Sequence, residues 1–255
     1  MQTMTRPDRP LVDSRVDSRV SEALTCPLPG IGLAPHVPLG IPVPTPRPDV
    51  LDRPGHRAKR LLDITISLLA LIILAPVMLL VALAVRLGSP GPALFRQDRV
   101  GQNGRTFSMV KFRSMRHGAD AELVRDAGAH RRYQENGFKL DADDPSITRV
   151  GRFIRATSLD ELPQLLNVLA GEMSLVGIRP VVAEQLALRP AYDQACYRAM
   201  KPGMTGLWQV SGRSSVENCD RSALDREYIE TWSVEADLKV LLRTPIAVLR
   251  IGDTR

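Results

Sequence analysis

The chain has 255 residues, 44% of them hydrophobic and only 4% aromatic, with a formal net charge of +6. Its length allows one large or two small domains, and its positive charge favours anionic partners such as phosphorylated metabolites, acidic lipid head groups or nucleic acid. The scarcity of aromatic rings argues against a protein that stacks single-stranded nucleic acid, and the scattered cysteines and histidines argue against a disulfide framework or a zinc site.

Prolines crowd the N-terminal part of the chain, as in the segment PLPGIGLAPHVPLGIPVPTPRP. Because proline lacks an amide donor and blocks both helices and central strands, we expect residues 1–55 to be a disordered or extended tail. An apolar core directly behind a basic start is missing, so the sequence does not predict a secretory signal.

Residues 64–85, ITISLLALIILAPVMLLVALAV, contain no charged side chain. As a helix, these roughly 22 residues would be about 33 Å long, which is enough to cross the hydrocarbon core of a bilayer. Basic residues flank both ends, so the charges do not choose an orientation, and Pro76 near the centre favours a kink. A kinked spanning helix and a re-entrant helix with both ends in the cytoplasm fit these residues equally well.

A β-hairpin is predicted after this segment, because ALFRQDRV and RTFSMVKF flank the glycine-bounded turn GQNG at residues 101–104. The hairpin carries five cationic side chains, Arg96, Arg99, Arg105, Lys111 and Arg113. They could hold lipid head groups, or they could close over a diphosphate, since arginine offers paired donors that match phosphate oxygens. The mixed-charge stretch up to Lys139 is predicted to be a solvated helix and loop without chemistry.

The segment RATSLDELPQLLNVL, residues 155–169, places two adjacent carboxylates, Asp160 and Glu161, before a leucine-rich run. Ser158 and Glu161 fit the capping-box pattern, so we expect a helix to begin there with the leucines on its buried face. The glycine at position 171 predicts the end of this helix. The acidic pair is equally typical of an ordinary helix start.

Arginines surround this dyad in the sequence, since Arg149, Arg152 and Arg155 precede it and the segment VGIRP places Arg179 after it. A helix N-terminus and a nearby guanidinium both favour the ionised carboxylate, so we expect Asp160 to remain ionised. Such a group suits nucleophilic attack on phosphorus or coordination of Mg²⁺. Structural ion pairs would leave the same pattern.

The C-terminal third contains two further segments of interest. KPGMTGLWQVSGR, residues 201–213, is punctuated by glycines and is predicted to be a substrate loop presenting Gln209 and Arg213. Residues 228–249 are predicted to be a core helix that breaks at Pro245. A helix lying in the bilayer interface is the competing interpretation, because Trp232 and basic side chains are typical of such helices.

Five runs of the sequence, in order, resemble the monotopic phosphoglycosyltransferases, bacterial sugar transferases that begin polysaccharide and glycoconjugate assembly. The runs are KRLLDITISLLALIILAP, GPALFRQDRVGQNGRTFSMVKFRSM, DDPSITRVGRFIRATSLDELPQLLNVLAGEMSLVGIRP, KPGMTGLWQVSGR and YIETWSVEADLKVLLRTP. The resemblance implies an α+β, mainly helical fold with a re-entrant membrane helix, a small β-hairpin, a catalytic helix and interfacial amphipathic helices. It implies that residues 56–88 insert into the inner membrane, that residues 89–250 form a catalytic domain on the cytoplasmic face, and that residues 251–255 are a tail.

The resemblance also implies an activity. A hexose 1-phosphate would pass from a UDP-sugar to undecaprenyl phosphate, a polyprenyl phosphate, with release of UMP and with Mg²⁺ as cofactor. The surroundings of Trp208 resemble those of the hexose-phosphate transferring members, which favours galactose or glucose. A non-catalytic membrane-bound scaffold of a polysaccharide assembly complex is the alternative, a nucleic-acid partner is disfavoured, and homo-oligomerisation is left open.

The matching motifs carry the site residues of the family onto this chain. Asp160 would be the nucleophile that forms a phosphosugar-aspartyl intermediate, and Glu161 would assist in placing Mg²⁺ or activating the acceptor. The family's phosphate-binding positions correspond to Lys111, Arg155 and Arg179.

One departure from the family pattern lies next to a phosphate-binding position. The family usually reads VGPRP where this chain reads VGIRP. Because Ile178 lacks the fixed backbone angle of proline, we expect a less rigid loop and a less firmly placed Arg179. The dyad itself is unaffected.

Overall fold

The computed structural model describes residues 54–138, 140–141, 143–211 and 218–249. Most of the predicted tail at residues 1–55, the tail at residues 251–255 and Arg213 therefore lie outside the described residues. The described chain is mainly helical with two small β-sheets, which confirms the α+β, mainly helical prediction.

A long apolar helix, α1, runs from His56 to Gly88 over 33 residues and continues through Pro76. Among the residues that the structure describes, it is the one helix long and apolar enough to cross a membrane. Its outward face exposes large aliphatic side chains on both sides of the proline, such as Ile72 at 66% and Leu80 at 66%. An apolar surface of this size marks a contact with lipid or protein rather than with water.

The opposite face of α1 packs on the rest of the chain at both ends. Lys59 and Asp63 near its start are buried, and Val81 and Val85 near its end lie in an apolar cluster with Phe112. Lys59 donates to the Asp237 carboxylate at 2.6 Å, and Asp63 accepts from the backbone amide of Leu175 at 2.9 Å. Both halves of α1 therefore rest on the same domain.

The predicted β-hairpin is confirmed. Strands β1 (Leu94–Val100) and β2 (Thr106–Phe112) are antiparallel, with Leu94 opposite Phe112 and Val100 opposite Thr106. The turn between them uses left-handed backbone at Asn103 (φ 58°) and Gly104 (φ 75°), the conformation that Asn-Gly favours.

Short elements build the rest of the domain. After the hairpin come the helices α2 (Ala119–Arg125), α3 (Ala127–Glu135), α4 (Arg149–Ala156) and α5 (Gln164–Ala170). They are followed by β3 (Ser174–Val176), α6 (Ala183–Ala187), α7 (Ala191–Ala199), β4 (Gly203–Thr205), α8 (Leu207–Val210), α9 (Asn218–Thr231) and α10 (Val234–Leu249). Strands β3 and β4 are parallel, and the main core between the hairpin, α5, α7 and α9 includes Met109, Val168, Tyr197 and Ile229.

The predicted helix start at Ser158 is wrong. Ser158 adopts left-handed backbone (φ 58°) and its side chain makes no capping hydrogen bond. A 3-10 turn, Leu159–Glu161, follows, and α5 begins only after Pro163, whose fixed φ suits the residue that precedes a helix. The predicted end of this helix is right, because Gly171 takes left-handed backbone (φ 83°) directly after Ala170.

Two predictions for the C-terminal third are also wrong. Residues 201–211 form β4 and α8 rather than a loop, and Trp208 is only 4% exposed. The helix predicted over residues 228–249 breaks at Trp232 and Ser233, between α9 and α10, and not at Pro245. Helix α10 runs through Pro245, and the preceding Thr244 hydroxyl bonds the Val240 carbonyl at 2.8 Å and Thr205 at 2.9 Å. Trp232 is buried and stacks on His56, so it is not an interfacial anchor.

Candidate active site

Asp160 and Glu161 lie on a tight turn between two short helices. Helix α4 begins where the Thr148 hydroxyl accepts from the Gly151 amide at 2.8 Å, and it ends at Ala156. The chain then reverses through Ser158, whose left-handed backbone is a mild strain of the kind that recurs at functional sites. The two carboxylates thus sit on the connection that precedes α5, not in its first turn.

The hairpin is fixed against this turn through one buried amide. Asn167 of α5 accepts from the Val110 amide at 3.0 Å and donates to the Ser108 carbonyl at 2.9 Å. These bonds hold strand β2 beside α5, so that the ammonium group of Lys111 lies 3.5 Å from the Glu161 carboxylate. Because Asn167 is 3% exposed, it is shielded from competing water.

The loop that carries Arg179 is fixed by the parallel pairing of β3 and β4. A methyl group at Gly203 would lie 2.1 Å from the Gly177 nitrogen, so only glycine permits the two backbones to approach so closely. Ile178 is 2% exposed, and its carbonyl accepts from the Gly203 amide at 2.7 Å. Burial and sheet pairing thus restrain the backbone at Ile178 without a proline; the lower rigidity relative to VGPRP stays a prediction.

A cleft of about 590 Å³ collects most of the predicted site residues. Asp160, Lys111, Arg155 and Arg179 all line it, although they come from three separate parts of the chain. The volume is in the range of small-molecule and cofactor sites in proteins. Arg155 lines this cleft, whereas Arg149 and Arg152 do not.

A small polar cavity of about 10 Å³ adjoins the same groups. Glu161 and Gln209 line it together with Lys111 and Arg179. Gln209 is 2% exposed and donates to the Met204 carbonyl at 3.1 Å, so it is a buried part of the site wall and not a mobile loop residue. Arg213, the other residue of the predicted substrate loop, lies outside the described residues.

The electrostatics of Asp160 differ from the sequence expectation. Burial, and then the neighbouring charge of Glu161, raise the pKa of Asp160 from its ordinary value of 3.8 to about 6, against the opposing effects of Lys111 and Arg155. Desolvation therefore outweighs the nearby cations. Asp160 is still mostly ionised at neutral pH, but it titrates close to the physiological range.

The cations of the cleft are also desolvated. Burial lowers the pKa of Lys111, and burial together with the charge of Arg179 lowers the pKa of Arg99 to about 10. Arg99 stays protonated at neutral pH. The Glu161 carboxylate, 3.5 Å from the Lys111 ammonium group, opposes the fall in the pKa of Lys111. Cations held in a partly dry cleft bind anions more strongly than cations in water do.

Sequence reasoning missed two parts of this site. The sequence shows Arg99 only as one of the hairpin cations, because its interaction with Arg179 depends on how the hairpin packs on the VGIRP loop. The stretch after Met115 is predicted to carry no chemistry, yet its Tyr133 and Phe138 line the cleft. No short motif in that stretch indicates that it lines a cleft, because its polar and charged residues are spaced as in a solvent-exposed helix.

The donor atoms present fit a magnesium ion only together with a substrate. Among the residues that the structure describes, no group of three or more histidine, cysteine or acidic side chains is arranged to hold a metal. Mg²⁺ is commonly bound by one or two carboxylates plus substrate phosphates, which Asp160 and Glu161 could supply beside a diphosphate.

The fold and the site define a class of protein: a domain that carries one long apolar helix and whose cleft combines a half-buried pair of carboxylates with several cations. The chain belongs to the bacterial sugar transferase family, whose model matches residues 55–251.

Curated relatives carry more specific names. The chain is 46% identical over 201 residues to the undecaprenyl-phosphate galactose phosphotransferase of Salmonella typhimurium, covering 78% of this chain and 42% of that protein. It is 45% identical over 199 residues to the UDP-glucose:undecaprenyl-phosphate glucose-1-phosphate transferase of Caulobacter vibrioides, covering 75% and 69%. The exopolysaccharide production protein ExoY of Sinorhizobium fredii is 44% identical over 199 residues, covering 76% and 86%. The chain thus spans less than half the length of the Salmonella relative.

Proposed function

We propose that this protein transfers a hexose 1-phosphate from a UDP-sugar to undecaprenyl phosphate and releases UMP, as the initiating step of exopolysaccharide, capsule or O-antigen synthesis. The observation that carries the proposal is the position of Asp160 in a cleft lined by Lys111, Arg155 and Arg179. The names of the relatives favour galactose or glucose as the transferred sugar.

The proposed reaction has two displacements at one phosphorus atom. A carboxylate oxygen of Asp160 attacks the β-phosphorus of the UDP-sugar, and the bond from that phosphorus to the bridging oxygen breaks, so that UMP leaves with the bonding electrons. An oxygen of undecaprenyl phosphate then attacks the same phosphorus and displaces the Asp160 carboxylate. The product is a sugar linked through a diphosphate to the lipid, and the nucleophile is regenerated.

The cations of the cleft stabilise the charge that moves during these steps. Arg155 and Lys111 lie close enough to Asp160 to lower its pKa, so they also face the phosphoryl group that this carboxylate attacks. Arg179 lines the same cleft and would contact the second phosphate of the donor. Groups already fixed where negative charge accumulates lower the barrier without further reorganisation.

Asp160 and Glu161 would hold a magnesium ion together with the diphosphate of the donor. When bound, Mg²⁺ supplies positive charge that offsets the phosphate oxygens. Glu161 also accepts from Lys111, which keeps that ammonium group beside the dyad.

We further propose that α1 is re-entrant in the inner membrane and that the catalytic domain lies on its cytoplasmic face. Both ends of α1 pack on one domain, which a straight crossing of the bilayer would prevent. An exposed apolar row on α10, formed by Leu238, Leu242 and Ile246, fits a helix lying in the lipid interface.

Release of UMP tests the reaction class and the donor together. We expect the purified protein with undecaprenyl phosphate and Mg²⁺ to release UMP from UDP-galactose or UDP-glucose, and Asp160→Asn to abolish release. A non-catalytic scaffold would bind membranes and release no UMP from any UDP-sugar. Full turnover by Asp160→Asn would exclude this aspartate as the nucleophile.

Intact-mass measurement tests the covalent step. With a UDP-sugar and no acceptor, the wild type should gain the mass of one hexose phosphate, and later addition of undecaprenyl phosphate should remove it. Turnover without such a mass gain would favour direct transfer between the two substrates.

A further inference from the structure

Arg99 occupies a central position among the cavities of the site. It lines the main cleft, the small cavity beside Glu161, and a third cavity next to Trp208. Its Nη1 donates to the Pro180 carbonyl at 3.4 Å and its Nη2 donates to the Gln97 side chain at 2.5 Å. Its Nε is buried and has no partner among the described residues. A guanidinium has five N–H donors, so Arg99 keeps donors for a ligand.

One tyrosine hydroxyl joins the two backbone segments that carry Arg99 and Arg179. Tyr197 donates to the Val100 carbonyl at 2.7 Å and accepts from the Val181 amide at 3.1 Å. The Val100 amide also donates directly to the Val181 carbonyl at 3.0 Å. Tyr197 is 1% exposed, so these hydrogen bonds are protected from water.

The two arginines require such a restraint. The charge of Arg179 lowers the pKa of Arg99, which means that the guanidinium groups repel each other. Without a bound anion, like charges in a partly dry site move apart unless the backbone holds them. Burial raises the pKa of Tyr197 to about 12, so its hydroxyl remains a donor at any pH at which the protein works.

We infer that Arg99 is a further anion-binding residue of the cleft and that Tyr197 is a positioning residue that fixes Arg99 beside Arg179. The inference rests on the proposed function and assigns the diphosphate of the nucleotide sugar as the ligand of this arginine pair. Arg99 precedes Val100 by one position and Arg179 precedes Val181 by two. The hydroxyl of Tyr197, which bonds both valines, therefore sets the separation of the backbone segments that carry the two guanidinium groups.

Calorimetric binding of UDP to the full-length protein in lipid nanodiscs tests the inference. We expect Arg99→Gln to weaken UDP binding roughly ten-fold or more, because a charge-assisted contact is lost. Tyr197→Phe should weaken it roughly five-fold. Tyr192→Phe is the matched control, because it removes an exposed hydrogen bond to Glu230 from the same helix, and it should bind UDP as the wild type does.

A double variant separates positioning from general stability. If Tyr197 acts through Arg99, Tyr197→Phe should change the UDP Kd less than about two-fold when Arg99→Gln is already present. Equal weakening in both backgrounds would show that Tyr197 has a merely structural role and would overturn its assignment.

If Tyr197→Phe fails to fold, Arg99→Gln and Arg179→Gln are combined in its place. If the two arginines act as one unit, the double variant should bind UDP only slightly more weakly than the weaker-binding single variant. Fully additive losses of binding free energy would contradict the clamp. Wild-type binding by Arg99→Gln would overturn this inference alone. Absence of UDP binding by the wild type would overturn the proposed function with it.

Discussion

Asp160 shows how burial can reverse the direction of the pKa shift that is expected from neighbouring cations. The sequence places arginines near this carboxylate and predicts a permanently ionised group, yet its pKa rises to about 6. The reason is that removal of water penalises the charged form more than Lys111 and Arg155 favour it. A carboxylate of this kind is a stronger base than an ordinary aspartate and is still mostly ionised at neutral pH.

We expect the rate of intermediate formation to follow the ionisation of Asp160. Since the carboxylate loses its charge as the pH falls through about 6, single-turnover release of UMP should be half-maximal near that pH and should reach a plateau above it. Rapid-quench measurements across this range provide the test. A rate that stays constant down to about pH 4, the ordinary range of an aspartate, would contradict the raised pKa.

The same shift has a consequence for stability. Because the pKa of Asp160 is raised in the folded state, ionisation there costs stability as the pH rises from about 4 to about 6, and the full cost is present above that range. Asp160→Asn removes the cost, so its gain in thermal midpoint over the wild type should be larger near pH 8 than near pH 4. An equal gain at both pH values would point to a packing effect.

Among the secondary-structure elements, helix α4 shows why the helix propensity of a residue does not by itself determine the effect of replacing it. Gly151 and Gly128 both lie inside helices, where glycine is less favourable than alanine by roughly 0.5–1 kcal/mol. A methyl group at Gly151 would lie 1.8 Å from the Ser114 carbonyl oxygen, whereas at Gly128 the nearest atom is the exposed Asp126 carboxylate at 3.3 Å.

The two glycine-to-alanine variants should therefore differ in stability. We expect Gly151→Ala to destabilise the fold by about 1–3 kcal/mol, because α4 must move away from the backbone it packs on, and to slow UMP release by displacing Arg155. Gly128→Ala should change stability by less than about 1 kcal/mol. Chemical denaturation of both variants measures this difference, and equal stability would refute the close packing.

At the scale of the whole molecule, the two docked ends of α1 predict its topology. After replacement of the native cysteines, Ala58→Cys and Leu87→Cys should both react with a membrane-impermeant maleimide from the cytoplasmic side alone, as should the control Glu122→Cys in α2. Reaction of the first two from opposite sides would show that α1 spans the membrane. Loss of UMP release in either variant would flag a disturbed fold.

Local sequence patterns determined the elements whose signal lies within one stretch. The apolar run of α1, the Asn-Gly turn of the hairpin and the glycine that ends α5 each depend on residues that are close in sequence. The motifs likewise placed Asp160, Lys111, Arg155 and Arg179 together, because the resemblance to a family carries the effect of a shared fold.

The tertiary structure alone decided what depends on contacts between distant segments. Burial set the pKa of Asp160. The segment around Gln209, predicted to be a loop, forms a short strand and helix that are packed in the domain. The clamp of Tyr197 on Val100 and Val181 joins three segments that no local pattern relates. Desolvation and long-range hydrogen bonds are properties of surroundings, and a sequence lists neighbours along the chain rather than neighbours in space.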